Sequence, residues 1–259
     1  MKGSPKFRVQ VLPDLEAISH HAASLFVEMA KKAFIQKTRF AVVISGGSTP
    51  RKLYGLLSSE EYGHQIDWEK VHFFWADERC VPKDHEESNF KVSFDSLLSK
   101  VSIPVGNIYR IRSEEDPEKA ARDYEKEIRV FFGNLDWPVF DLIILGMGED
   151  GHTASLFPGS KSLEERERLA VPVYLEKPGI NRITLTLPVL NHGSQILFLV
   201  SGRSKATVLS EVLGEGHKRD RYPAGLIDPV YGELLWLIDQ EAAHKIENKG
   251  RLRSQDEQS

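Results

Sequence analysis

A single cysteine, Cys80, is all that the 259 residues contain, so an intramolecular disulfide is excluded and the thiol usage fits a reducing compartment. Long apolar runs are missing too. The longest, such as Ile196 to Val200, fall far short of the roughly 18 residues that suggest a membrane span. Met1 to Lys6 lacks the apolar stretch of a signal peptide. A cytoplasmic protein with no membrane partner is therefore the expectation. Basic excess is absent as well, with a formal net charge of −4, which argues against nucleic acid as a partner. An anionic ligand must then be met by local donors and cations. No linker interrupts the chain and no repeat is seen, so one domain over residues 1–259 is expected, with an ordered core from about 7 to about 248. Metal-ligand spacings are lacking also. His72, Asp77, His85 and His152 form no HExxH, cysteine cluster or calcium loop, and no metal is expected.

What is present reads as a globular chain. Apolar residues make up 41% and charged residues 28%, ordinary proportions for a folded domain. Val9 to Leu12 is expected as an opening edge strand. Asp14 then caps a helix to about Lys37, with Leu15, Ile18, Ala22, Leu25, Phe26 and Met29 at helical spacing. His20 and His21 fall within it as scaffold. Further strands are expected at Arg39 to Ile44, Val71 to Ala76, Asp141 to Leu145, Arg182 to Leu187, Gln195 to Val200 and Leu234 to Ile238. Helices are expected at Glu86 to Leu98, at Pro117 to Phe132 behind an Asp116 cap, through Leu213 after a turn at Ser201, and at Glu241 to Ile246. His72 is read as a structural strand residue and Lys161 to Arg168 as a solvated face. Residues beyond Lys249 are polar enough to be disordered.

The chemistry gathers where strands end. Asp141 to Ser160, DLIILGMGEDGHTASLFPGS, runs from a buried strand into glycines and then presents Glu149, Asp150 and His152. In an open parallel sheet such a loop lines the ligand crevice. Gly146, Gly148 and Gly151 also spell GxGxxG, but a dinucleotide fingerprint needs a sustained helix, and Pro158-Gly159 leaves Thr153 to Phe157 barely one turn. Glu176 lies near the place of a ribose-binding acid, yet Lys177-Pro178-Gly179 makes that segment a turn. Ser45-Gly46-Gly47-Ser48-Thr49-Pro50 follows another strand and opens a helix. Converging backbone N–H groups, hydroxyl donors and a positive helix end suit an anion there, although a Ser/Thr-capped turn would have the same composition. Asp77-Glu78-Arg79 ends a third strand and leads into a polar loop. Ser201-Gly202-Arg203-Ser204-Lys205-Ala206 is a second glycine-containing strand-to-helix turn, now with two cations, so a phosphate monoester could lie between the two turns.

Taken in order, SGGSTP at Ser45, ADERCVP at Ala76, GMGEDGHTASLFPG at Gly146, RITLTLP at Arg182 and SGRSKA at Ser201 resemble the 6-phosphogluconolactonase family, within the superfamily of the aminosugar-phosphate deaminases. The resemblance covers almost the whole chain, from about Phe7 to Ile246. It implies a three-layer α/β/α fold with a mostly parallel, Rossmann-like sheet, a sugar phosphate lactone as substrate and no cofactor. By motif it implies that Gly46, Gly47, Ser48 and Thr49 help hold the phosphate, with Lys205 its principal cation and Arg203 a helper. His152 would be the general base. Arg182 and Arg79 would face the sugar acid, Asp77 would position ring hydroxyls or Arg79, and Asp150 stands in the same catalytic set.

The chemistry of lactone opening agrees. Water must attack C1, the oxyanion must be stabilised and the departing ring oxygen must receive a proton. One histidine can make both transfers, and an arginine or backbone N–H can stabilise the oxyanion. No GxSxG elbow offers a serine nucleophile. The deaminases resemble this chain through GEDGH but continue IAFNEP, which puts a carboxylate where Phe157 stands here, and Arg79 replaces their usual tyrosine. A sugar-phosphate sensor should carry a DNA-binding helix-turn-helix, for which the chain leaves no room.

Overall fold

Successive residues of a strand point to opposite faces of a sheet, and the strand Val71–Trp75 uses both. Phe73 lies against Phe26 of the helix Leu15–Lys37, with ring centroids 6.5 Å apart, whereas Phe74 meets Phe131 of the helix Pro117–Phe132 at 5.1 Å. Helices therefore cover both faces, as the three-layer expectation requires. The computed structural model describes residues 7–133, 135–176, 179–214 and 218–246. Its strands are β1 (Phe7–Leu12), β2 (Phe40–Ile44), β3 (Val71–Trp75), β4 (Asp77–Arg79), β5 (Ile108–Tyr109), β6 (Leu142–Leu145), β7 (Ala170–Val173), β8 (Arg182–Leu185), β9 (Gln195–Val200) and β10 (Glu233–Asp239). Seven form one sheet in the order β1-β10-β9-β6-β2-β3-β5, with every pairing parallel. The apolar runs that read as buried strands are buried along their whole length in β2, β6 and β9. That is the signature of a parallel sheet covered on both faces.

The order places a topological switch between β2 and β6. From β2 the chain passes through the helix Ser48–Leu57 to β3 on one side, while from β6 the order continues to β9 on the other. The connections diverge, and a crevice opens at the carboxyl ends of the two strands. At their opposite ends Asp141 ties them together. Its backbone N–H donates to Ala41 O at 2.9 Å, its Oδ2 accepts from Ala41 N at 2.9 Å, and Lys37 Nζ lies 2.6 Å from Oδ1.

Several expectations need correction. Asp77-Glu78-Arg79 does not end the strand Val71–Trp75 but forms a strand of its own, β4, which pairs antiparallel with β8 in a separate three-stranded sheet, order β4-β8-β7. Only Arg182–Leu185 of the predicted RITLTL strand pairs, because Pro188 lies in the following helix Leu187–Asn191. The strands β5 and β7 were not expected: β5 has two residues, and β7 follows a charged stretch that masks it. The predicted helix Glu86 to Leu98 starts late, at Asn89–Ser93, because Ser88 Oγ caps Lys91 N at 3.2 Å, and it continues as the π-helical turn Phe94–Leu98. Thr153 to Phe157 makes no helical turn but a tight bridge between Thr153 and Leu156. The last predicted helix is a 3₁₀ segment, Ala242–Lys245. Lys177, Pro178 and the tail beyond Lys249 lie outside the described residues. Among the described residues no helix is long and apolar enough to cross a membrane.

Replacing Asp141 by Ala should leave the buried Ala41 N–H without an acceptor, a loss of about 1–3 kcal/mol. The residue stands at the far end of β6 from the crevice, so turnover should stay near normal. Urea unfolding of Asp141→Ala beside wild type measures the first effect and kcat the second.

Candidate active site

Two loops and a short strand close around a cavity of about 260 Å³ at the switch point, lined by Ser45 to Pro50, Asp77, Arg79, Asn89, Gly146 to Gly148, His152, Ala154 and Lys205 among others. The wall after β2 presents backbone N–H groups and hydroxyls. Tyr54, buried in the helix Ser48–Leu57, donates its hydroxyl proton to Ser45 O at 2.5 Å and fixes the start of the turn. Gly47 sits at φ +104°, a conformation that side chains avoid, and it caps the helix without any side-chain hydrogen bond. The free N–H groups of the first helical turn, with the Ser48 and Thr49 hydroxyls, therefore border the cavity.

The wall after β6 carries the histidine. Gly148 N donates to His152 O at 2.9 Å, folding the loop back on itself. A Cβ on Gly148 would lie 2.1 Å from His152 Nδ1 and 2.6 Å from Asp150 Oδ1, so only glycine lets these two side chains meet. They meet at 2.6 Å, Nδ1 to Oδ1, and the same oxygen accepts from His152 N at 3.1 Å. Burial pushes the Asp150 carboxyl up, but the His152 backbone N–H, the imidazole's charge and its side-chain hydrogen bond outweigh it and hold the group below its ordinary value. An ionised carboxylate only accepts, so Nδ1 is the donor, and in the neutral tautomer this selects it is Nε2 that carries the lone pair. Phe157 covers the ring at 4.8 Å between centroids.

The acidic strand β4 forms the third wall. The Asp77 carboxylate is held at both oxygens, Oδ2 by Ser155 Oγ at 2.6 Å and Oδ1 by Asn89 Nδ2 at 3.2 Å. Glu78 points the other way and is buried. It accepts from Arg79 N at 2.8 Å, Asn89 N at 2.7 Å, Phe90 N at 2.8 Å and Ser88 Oγ at 3.2 Å. Arg79 Nη1 donates to Glu87 O at 2.6 Å.

Of the residues expected here, Gly46, Gly47, Ser48, Thr49, Asp77, Arg79, His152 and Lys205 line one cavity, and Asp150 touches it through His152. Arg182 is not among the lining residues; it stands opposite Arg79 in the β4–β8 ladder, where burial and then the Arg79 charge hold its pKa below the usual arginine value. Arg203 is not brought in either, for its guanidinium lies 3.1 Å from His244 Nε2 and 3.8 Å from Glu241. Among the described residues the Lys205 ammonium has a long pairing with exposed Glu149, at 3.7 Å. No cluster of metal-ligating side chains occurs among the described residues. His72 lies half-buried against Phe131 and Tyr109, where burial and then Arg39 lower its pKa. Two lining or supporting residues were not foreseen, Asn89 and Ser155. Ser155 lies inside the quoted histidine motif, but its partner Asp77 is 78 positions away. The Ser88 cap preceding a short helix was the one local sign of Asn89.

The fold and this cavity define a class: doubly wound α/β proteins with a polar cavity at the switch point of the sheet. Residues 13–236 match the family model described as glucosamine-6-phosphate isomerases/6-phosphogluconolactonase, and the chain belongs to that family. It is 37% identical over 244 residues to a 6-phosphogluconolactonase of Nostoc sp., covering 93% of this chain and 99% of the relative. The Homo sapiens 6-phosphogluconolactonase is 40% identical over 212 residues, covering 80% of this chain and 81% of the relative. A solved structure of 6-phosphogluconolactonase from Trypanosoma cruzi superposes with a TM-score of 0.85 at 28% identity, over 94% of this chain and 98% of that one.

Burial pushes the Glu78 carboxyl up to about 7, against the backbone N–H groups of Asn89, Phe90 and Arg79, and the Asp77 charge adds to the rise. Because the folded value lies above the ordinary 4.5, the native state holds an extra proton between these two pH values. The stability this gives is complete below the lower value and is lost as pH rises through the upper one, on the order of 3 kcal/mol in all. Urea midpoints at acid and neutral pH should show that loss for wild type but not for Glu78→Gln. Parallel pH curves for the two proteins would refute it.

Proposed function

We propose that this chain hydrolyses 6-phospho-D-glucono-1,5-lactone to 6-phosphogluconate, the lactone-opening step of the oxidative pentose phosphate pathway. One observation carries the reading: a single cavity is lined by the glycine-rich turn, by Lys205 and by an imidazole oriented by Asp150. A phosphorylated sugar lactone asks for both, donors for its phosphate and an acid–base group at its carbonyl carbon. The names of the relatives support it as well.

In this mechanism the phosphate lies against Gly46 to Thr49 with Lys205 as counterion. His152 Nε2 takes a proton from water as the water oxygen bonds to C1, while Asp150 stabilises the imidazolium that forms. Arg79 meets the charge that develops on the carbonyl oxygen. Collapse of the tetrahedral intermediate breaks the bond from C1 to the ring oxygen, and the imidazolium returns the proton to that oxygen. Water is consumed, one carboxylic acid and one hydroxyl appear, and no cofactor takes part. Asp77, held at both oxygens, fixes the wall that carries Arg79. Arg182 adds positive charge beside Arg79. Arg203 contributes long-range charge to the phosphate side. The chain acts as one domain on a small molecule in the cytoplasm, a reading supported by its lone half-buried thiol and net charge of −4.

Deamination of an aminosugar phosphate would need an acid to assist ring opening, and at the corresponding position the apolar Phe157 ring covers His152. Pure protein given freshly prepared 6-phosphogluconolactone should release acid, and given glucosamine 6-phosphate should release no ammonia. The reverse pattern overturns the reading.

His152→Ala should lower kcat by about 10²–10⁴-fold, the usual range for a lost acid–base group, while 6-phosphogluconate still binds. Near-normal kcat in the folded variant rules His152 out as the base. Lys205→Ala should lose about 1.5–3 kcal/mol of binding, roughly ten- to hundredfold, toward the phosphorylated lactone. Hydrolysis of unphosphorylated gluconolactone should change much less. Equal proportional losses in kcat/KM for both lactones would assign Lys205 to the reaction centre or to the fold.

A further inference from the structure

Asn89 touches two walls of the cavity. It is 1% exposed and lines the cavity from the start of the helix Asn89–Ser93. Its amide nitrogen donates to Asp77 O at 2.9 Å and to Asp77 Oδ1 at 3.2 Å. Its carbonyl edge reaches the anion-binding turn. A Cβ built on Gly46 would stand 1.8 Å from Asn89 Oδ1 and 2.3 Å from its Cγ, so the amide occupies the space that any side chain at Gly46 would need. Glu78 anchors the whole unit by accepting from the Asn89 and Phe90 backbone N–H groups.

Asn89 Oδ1 is buried and has no hydrogen-bond partner among the described residues. An apolar side chain of similar size would avoid that cost, but it would surrender both hydrogen bonds to Asp77. The arrangement makes sense as a spacer: a planar, rigid group wedged between the Gly46 backbone and the Asp77 carboxylate, with a donor end and a contact end. We infer that Asn89 is a positioning residue that sets the separation between the anion-binding turn and the reaction centre, and so makes the phosphate of the substrate count in turnover as well as in binding. Remote binding energy helps the chemical step only when the two ends are held in register. The inference rests on the lactonase reading, with the phosphate at Gly46 to Thr49 and His152 at C1.

The test is steady-state kinetics of wild type, Asn89→Ala and Asn89→Asp on 6-phosphogluconolactone and on unphosphorylated gluconolactone, with 6-phosphogluconate affinity measured by calorimetry. Asn89→Asp keeps the shape but replaces the donor to Asp77 with a second carboxylate. For both variants kcat on the phosphorylated lactone should fall about ten- to hundredfold, the scale of misplacing a bound substrate by an ångström or less. KM and product affinity should stay within about threefold, a shift below 1 kcal/mol, because the phosphate contacts remain; retained product binding also shows that the variants fold. The unphosphorylated lactone, not anchored at the turn, should lose a clearly smaller factor in kcat, the share that Asn89 contributes through Asp77. Equal losses on both lactones would show that Asn89 serves Asp77 alone. A rise in KM with unchanged kcat would show that it serves the turn alone. Either result overturns the spacer role. Wild-type protein that does not hydrolyse the phosphorylated lactone overturns the lactonase reading and this role with it, a result separable from the other two because it appears before any substitution is made.

Discussion

Everything at the site depends on β2 and β6 ending side by side, and few backbone bonds hold them there. Their ladder is short, with Val42 opposite Leu142 and Val43 opposite Ile143. Side chains pin it at each end. Asp141 accepts from Ala41 N where the strands begin, and Ser45 donates its hydroxyl proton to Ile144 O at 2.8 Å where they finish. Both polar residues are buried, so each bond replaces one that water would otherwise supply and would be costly to leave unmade. The second pin sits directly before Gly46, which sets the height at which the anion-binding turn leaves the sheet relative to the histidine loop.

The central frame was legible in the sequence because each of its elements carries a local signal. Asp14 and Asp116 cap their helices as their positions suggested, accepting from Ala17 N and Lys119 N at 2.9 Å. The buried strands showed as apolar runs with turns at their ends. The strand ends that collected glycine and charge are the ones brought to the cavity. The second sheet was not legible. A three-residue strand such as β4, whose residues are Asp, Glu and Arg, has neither apolar alternation nor length. Its pairing with β8 depends on partners more than a hundred residues away, Asp77 with Thr184 and Arg79 with Arg182. Arg203 illustrates the converse limit. Its motif and composition matched those of Lys205, yet Arg203 turns to His244 and Glu241 while Lys205 lines the cavity. Side chains two residues apart in a tight turn need not share a face, and composition does not resolve which one does.

The cavity is also where the fold accepts local cost. Ala154 takes φ +49°, a left-handed conformation that costs a residue with a Cβ about 1–2 kcal/mol. That turn carries Ser155 to Asp77 and so joins the histidine loop to the wall bearing Arg79. Arg79 Nε and Asn89 Oδ1 are buried without partners among the described residues, and Arg79 stands opposite a second guanidinium. In the scaffold Tyr124 donates to Trp75 O at 2.9 Å and accepts from Trp75 N at 2.8 Å, deep beneath the helix Pro117–Phe132. Buried polar atoms without partners among the described residues occur there too, at His72 Nδ1, Trp75 Nε1, Arg168 Nη2 and Trp236 Nε1, and Thr38 takes φ +60° at the end of the helix Leu15–Lys37, so unpaired polarity alone does not single out the cavity.

Charge completes the argument. The chain is acidic overall, at −4, so attraction of a phosphorylated substrate cannot come from the molecule as a whole. It must come from the cavity, where the uncapped helix end at Ser48, Lys205 and Arg79 converge while Asp77 and Asp150 are engaged by Ser155, Asn89 and His152. Lys205 is held differently: its partner Glu149 is two-thirds exposed and 3.7 Å away, a contact worth little in water. Under the proposed phosphate role, exchanging that contact for an anion would sacrifice almost nothing, because a single flexible ammonium can follow it. Asp77 and Asp150, by contrast, are already held by Ser155, Asn89 and His152 in the structure itself, so the proposed chemistry would pair a rigid reacting end with an adaptable anchor.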